Sequence, residues 1–414
     1  MGKRLLSVSV LIVSCCVLAN NRVWLASWFS RAEAQQEKQE LDPKLQYLAD
    51  RYEAYVRGAM RAEEVPGAAV AIVKDSTIVM MKGFGVKSTI TSDSVDEHTV
   101  FRLASLSKGF APILTAQFIR EGCLNWDDKV ISFIPYFALR SKEQAADITL
   151  RHVLSHTTGL PRHSYSNLLN MGWYYEQIFP KLKEVKIVDK PGERYNYQNV
   201  IYSVIGDVLH SATGKSYTRL LNERIFTPAG MNDASASYHG IISAEDVARP
   251  HWFYKGQGYK PIEISRNYYE VIPAAGVNAS IADMAQWLQV LMGNRPEIIT
   301  PEELEDVFKP EIWVNTRELR QWDGMYRAWY AKGWRVLDFP KKRIIYHGGF
   351  VNGFRTEIAF DPKEKVGIVV LSNAMSNFIG QSVQVFFDIY ETTKHKDVAD
   401  YRTDKYASTT ANGK

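Results

Sequence analysis

The chain is poor in cysteine, with three among 414 residues, and two of them, Cys15 and Cys16, sit in an apolar N-terminal stretch. Only Cys123 remains in the body of the chain, so neither an internal disulfide nor a cysteine metal site can form there. Cys123 follows an apolar helical pattern and is expected to be a buried, inert thiol. A block of one charge is also missing. The formal net charge of +4 is spread over Lys and Arg scattered among Asp and Glu, which argues against a nucleic-acid partner. Internal repeats and low-complexity tracts are absent. What is present is 46% hydrophobic and 12% aromatic content, enough to bury a large core and to exclude disorder for most of the chain.

The N-terminus reads as a targeting segment. Lys3 and Arg4 precede an apolar run over residues 5–19, which has signal-peptide length and is short for a membrane span. Export is the expectation, to the periplasm or cell envelope, and three readings of residues 1–34 stand side by side. Ala32-Glu33-Ala34 offers a cleavage site, Ile12-Val13-Ser14-Cys15 resembles a lipobox that would lipidate Cys15, and an uncleaved segment would tether the chain to a membrane. Residues 35–44 suit a linker, residues 45–393 a single folded domain, and residues 394–414 a disordered tail.

Leu45, Leu48, Tyr52, Tyr55 and Ala59 recur at helical spacing, and residues 67–74 and 78–86 predict a hairpin around Asp75-Ser76. Helical patterns follow over 107–120, 200–211 and 217–225. Strand patterns return over 331–337, 343–346, 354–360 and 366–371, before a closing helix over 383–392. Either half alone would leave a sheet face and an edge uncovered, so the early hairpin and the late strands are predicted to share one antiparallel sheet. The fold class is α+β, an antiparallel sheet flanked by helices, with an inserted and mostly helical subdomain over about residues 124–280.

Three short motifs carry chemistry. Ser105-Leu106-Ser107-Lys108 follows extended chain and opens a helix, which puts Ser105 at a helix N-terminus and Lys108 one turn later on the same face. A serine nucleophile needs a base beside it and donors where the oxyanion forms. Tyr197-Gln198-Asn199 follows a turn at Pro191-Gly192. A phenol beside a lysine ammonium is expected to be drawn toward phenolate, so Tyr197 would serve as base and Asn199 would bond Lys108 and a substrate carbonyl. His347-Gly348-Gly349-Phe350 ends an apolar strand. Its paired glycines would let a substrate backbone add as a strand, and the Ser105 and Phe350 N–H groups are the candidate oxyanion donors.

With these three motifs in this order, the chain resembles the serine β-lactamase and penicillin-binding-protein family. The resemblance is to its class C-like branch of DD-carboxypeptidases, D-aminopeptidases and esterases. Leu154-Ser155-His156-Thr157-Thr158-Gly159-Leu160-Pro161, Phe226-Thr227-Pro228-Ala229-Gly230-Met231, Pro273-Ala274-Ala275-Gly276 and Gly353-Phe354-Arg355 extend it. The resemblance implies Ser105 as acylated nucleophile, Lys108 and Tyr197 as the proton-handling pair, His347 in the third motif, and a site between sheet and helical subdomain. It implies neither cofactor nor metal. His347 stands where class C β-lactamases carry lysine, which weakens carboxylate recognition unless Arg355 or another cation replaces it, and Gln198 stands where a smaller residue is common. Arg355 reads equally as the structural partner of a sheet carboxylate. His152, His156 and His163 lack zinc-protease spacing, and His156 is expected to hold a loop near the site. The expected substrate is a small molecule or peptide: a D-amino-acid peptide, peptidoglycan fragment, β-lactam or ester. The alternative is a non-catalytic cell-wall-peptide-binding or scaffold protein, and the oligomeric state is left open.

Overall fold

The computed structural model describes residues 41–319 and 321–396. The leader, most of the linker and nearly all of the tail therefore lie outside the described residues. Helix α1, Pro43–Ala62, starts with Asp42 accepting a hydrogen bond from Lys44 N at 2.8 Å and with proline at its first position. It buries Leu48, Tyr52 and Val56, which recur at helical spacing.

Strands β1 (Gly67–Lys74) and β2 (Thr77–Gly85) form the predicted hairpin, with Asp75 at φ 54° in the turn. After the middle of the chain come β7 (Ile312–Trp313), β8 (Arg327–Tyr330), β9 (Arg335–Asp338), β10 (Arg343–Val351), β11 (Phe354–Asp361) and β12 (Val366–Ser372). All eight make one antiparallel sheet in the order β2-β1-β12-β11-β10-β9-β8-β7, so chain ends far apart in sequence meet where Ala68 pairs Ser372 and Lys74 pairs Val366.

Period-2 alternation gives the sheet two buried faces. Ala68, Val70 and Ile72 pack with α1 and the C-terminal helix, Asn377–Lys394. Ala69, Ala71 and Val73 pack with the other core, which includes Phe110–Arg120 and Ile281–Leu291. Between β2 and β7 the chain is mainly short helices. They are joined by a two-stranded pair, β3 (Phe101–Arg102) with β6 (Asn278–Ala279), and by a hairpin, β4 (His251–Tyr254) with β5 (Gly258–Pro261), which His251 bridges to Ala374.

Three expectations need correction. Residues 331–337 are not one strand, because Ala331 N bonds Trp334 O at 2.7 Å and Gly333 takes φ 75°, which reverses the chain between β8 and β9. The helix of the first motif does not start at Ser105. A 3-10 segment, Ala104–Gly109, precedes the α-helix Phe110–Arg120. Cys123 is exposed, because it lies past the helix end in a turn led by Gly122 at φ 73°.

Candidate active site

The 3-10 segment is set by its surroundings. Leu103 N bonds Val277 O at 2.9 Å, Thr356 Oγ1 donates to Leu103 O at 2.8 Å, and Ala104 is held at φ 50°. A buried alanine in the left-handed region is strained, and it lies directly before the nucleophile candidate. Ser105 caps nothing, and its Oγ accepts the Tyr197 O–H at 2.9 Å. In a 3-10 turn residues i and i+3 eclipse, which puts Lys108 on the same side of the segment as Ser105. A turn glycine locks this segment from behind, since a Cβ on Gly333 would lie 2.7 Å from Lys108 O, the same oxygen that accepts Tyr202 O–H at 2.7 Å.

Lys108 is fully buried, and its Nζ donates to Asn199 Oδ1 at 2.8 Å and to Ala274 O at 2.9 Å, with the Tyr197 ring centroid 4.5 Å away. Burial first, then the Arg335 charge, pushes the Lys108 amine well below its ordinary value. Tyr197 does not move toward phenolate as the sequence suggested. Its burial raises the phenol, and the hydrogen bond to Ser105 and the Arg335 charge offset this only in part. Desolvation outweighs the nearby charge because the whole ring is enclosed. His156 packs 4.4 Å from the Tyr197 ring and its Nδ1 accepts Gln198 N–H at 3.2 Å, while the Gln198 side chain donates to Pro161 O.

The third motif meets the first at its glycines. A Cβ on Gly349 would overlap Thr356 Oγ1 and lie 2.6 Å from Leu103 O and 3.1 Å from Ser105 N, so only glycine lets β10 approach the Ser105 amide. A Cβ on Gly348 would meet Glu357 Oε2 at 2.7 Å and Tyr346 OH at 2.8 Å. Strand β9 pairs β10 only over Arg343–Tyr346, which leaves that edge of β10 without a strand neighbour from His347 to Val351.

Ser105, Tyr197, Asn199, Gly348, Gly349, Phe350 and Arg355 line one cavity of about 720 Å³. Lys108 stands just behind its wall. His347 is also withdrawn from the cavity: it is 1% exposed, donates from Nδ1 to Gly348 O at 2.8 Å and accepts Tyr330 O–H on Nε2 at 3.2 Å. Burial first, then the Arg335 charge, pushes its imidazole well below the ordinary value. Arg355 pairs with Glu357 at 3.1 Å, as its structural reading had it, while still lining the cavity.

Among the cavity residues not singled out from the sequence are Arg335 and Glu357. Arg335 lines the cavity near the Tyr197 and Tyr330 rings, at 5.9 and 5.7 Å, and makes no salt bridge among the described residues. Glu357 is buried against Tyr346 O–H, which donates to it at 2.6 Å, and burial pushes its carboxyl up to about 7. Each is a charged residue inside a strand pattern, Arg335 ahead of Val336-Leu337-Asp338 and Glu357 two residues after Arg355. That pattern was the available signal.

A nucleophile candidate, a depressed amine, a phenol and an open strand edge thus converge on one cavity. A family model described as Beta-lactamase matches residues 52–382. The chain belongs to the beta-lactamase family. This family groups it with the β-lactamase and penicillin-binding-protein-like serine hydrolases. The family member is 26% identical over 325 residues to protein flp of Staphylococcus aureus (strain MRSA252), covering 77% of this chain and 62% of flp. It is 24% identical over 331 residues to unguisins hydrolase ungD' of Aspergillus campestris, covering 77% of this chain and 61% of that protein. The chain thus spans about three fifths of the length of these curated relatives. The solved octameric penicillin-binding protein homologue from Pyrococcus abyssi shares the fold, with a TM-score of 0.71, 24% identity, and coverage of 82% of this chain and 77% of that one.

Proposed function

We propose that the chain is an exported serine hydrolase that cleaves amides or esters through an acyl-enzyme on Ser105. The observation that carries this reading is the 2.9 Å hydrogen bond between Tyr197 and Ser105 beside a lysine that burial has made a weak acid-holder. A neutral Lys108 amine has two N–H groups, and Asn199 Oδ1 and Ala274 O accept both, which leaves its lone pair for a proton. Because the phenol is raised, Tyr197 acts as a relay and Lys108 as the proton store. Ser105 Oγ bonds to the substrate carbonyl carbon as its proton passes through Tyr197 to Lys108. The oxyanion is held by the Ser105 and Phe350 N–H groups, and the stored proton then goes to the leaving amine or alcohol as the C–N or C–O bond breaks. Water releases the acyl group by the reverse proton path.

His347, buried and neutral, takes a positioning role in this reading, holding the Gly348 carbonyl. The cation missing from the third motif is supplied by Arg335, whose guanidinium makes no salt bridge among the described residues and favours substrates that carry a carboxylate, such as a D-amino-acid peptide or peptidoglycan fragment. The second reading, a non-catalytic peptide-binding protein, draws on the withdrawal of His347 from the cavity. Incubation with p-nitrophenyl esters and D-alanyl peptides separates them: turnover abolished by Ser105→Ala supports the hydrolase, and binding without turnover supports the other.

A further inference from the structure

Arg102 is fully buried three residues before Ser105, and the acyl-transfer chemistry at Ser105 makes no use of it. It belongs to β3, where it pairs with Asn278 of β6. No carboxylate answers its charge among the described residues, and the ionisable groups around it are the Tyr238, Tyr268 and Tyr269 phenols. Burying a cation without a counter-ion is costly, so the value of this arginine lies in what it grips. Its Nη1 donates to Ser265 O at 2.9 Å and its Nη2 to Asn267 O at 2.8 Å, while the Tyr269 ring centroid lies 4.3 Å from Cζ. The grip therefore falls on both sides of Tyr268. That residue is held at φ 71°, a left-handed conformation that an aromatic side chain rarely takes and that persists only where its neighbours fix it. Tyr269 is fixed a second time, because its O–H donates to Asn278 Oδ1, on the residue opposite Arg102 in the β3–β6 pair. The loop is also tied to the short helix Ser166–Asn170, since Asn267 Nδ2 donates to Asn170 O at 2.8 Å. Asn170, Asn267 and Tyr268 all line the cavity that holds Ser105.

We propose that Arg102 is a positioning residue that holds Tyr268 as a specificity wall of the cavity, setting which substrates fit without touching the reacting atoms. One planar fork ties the strand that leads into Ser105 to the loop that forms this wall, and a lysine ammonium, a point charge, does not reproduce such a fork. The substrates selected are those with a bulky group to rest against Tyr268, whereas an acetyl ester occupies only the neighbourhood of Ser105. The consequence for turnover rests on the hydrolase reading, and the clamp itself does not.

The test compares the unaltered chain with Arg102→Lys and Tyr268→Gly, using p-nitrophenyl acetate, p-nitrophenyl phenylacetate and amide hydrogen exchange. In Arg102→Lys the Tyr269 and Val271 amides, which bond Arg266 O and Tyr268 O, are expected to lose protection while those of β1 and β12 keep theirs. Its kcat/KM for the phenylacetate is expected to fall about tenfold, chiefly through KM, while the acetate keeps its value. Glycine accepts φ 71° without strain, so Tyr268→Gly folds as before and reproduces the selective loss. Equal losses for the two esters, a Tyr268→Gly chain that keeps both, or unchanged exchange in Arg102→Lys overturns the proposal. Should the unaltered chain turn over neither ester, the hydrolase reading fails, and the clamp stands or falls on the exchange result alone.

Discussion

Replacing Gly349 with alanine tests whether the third motif positions the Ser105 amide. The added Cβ would overlap Thr356 Oγ1 and stand 2.6 Å from Leu103 O, where ordinary contact begins at 3.4 Å. Relief requires β10 and the chain before Ser105 to separate by roughly 0.8 Å, and overpacking of this kind costs about 1–3 kcal/mol. Neither obstacle is a flexible side-chain end, since one is backbone and the other is a threonine bound to that backbone at 2.8 Å. The stability loss is therefore modest, and the activity loss exceeds it. A shift approaching 1 Å at reacting groups costs about a hundredfold in rate. Kinetics with a p-nitrophenyl ester, beside a thermal melt, read both quantities. A Gly349→Ala chain that melts a few degrees lower yet keeps its kcat/KM would refute the claim that this contact sets the oxyanion site.

Two further substitutions probe the charges that the cavity contains. Arg335→Met is expected to lower kcat/KM by about 10- to 100-fold for carboxylate-bearing substrates, the value of a charged hydrogen bond, and far less for a neutral ester. Because the Arg335 charge depresses Lys108, the same change should also shift the acidic limb of the pH–rate profile upward. Glu357 has a carboxyl raised from 4.5 to about 7, so the fold holds its proton more tightly than the unfolded chain does. Its stabilising contribution is complete below pH 4.5 and is lost as pH rises through 7, about 3 kcal/mol in all. Denaturant melts of Glu357→Gln between those limits should show that slope removed, and an unchanged slope would place the titration elsewhere.

The sheet was legible where burial and local pattern agree. Residues 67–74 and 366–371 are apolar runs bounded by turns, and the strands they predicted pair along nearly their full length. The pattern failed at residues 331–337, because an apolar stretch does not reveal that Gly333 reverses the chain. At the site, Ser105, Lys108, Tyr197 and Asn199 were legible because each is a residue type the chemistry requires, in a recognisable order. Arg335 and Glu357 enter the cavity through cross-strand register, Arg335 opposite Tyr346 and Glu357 opposite Gly348, which no local spacing encodes. The direction of the Tyr197 shift was misjudged for a similar reason. A nearby ammonium lowers a phenol and burial raises it, and the extent of burial follows from packing by His156 and Arg335, distant in sequence.

The central claim is that Ser105 becomes acylated. Intact-mass measurement after exposure to a fluorophosphonate and to penicillin tests it most directly. A single added mass on the unaltered chain that is absent from Ser105→Ala is the predicted result. No adduct from several acyl donors, or an adduct that survives Ser105→Ala, would contradict it.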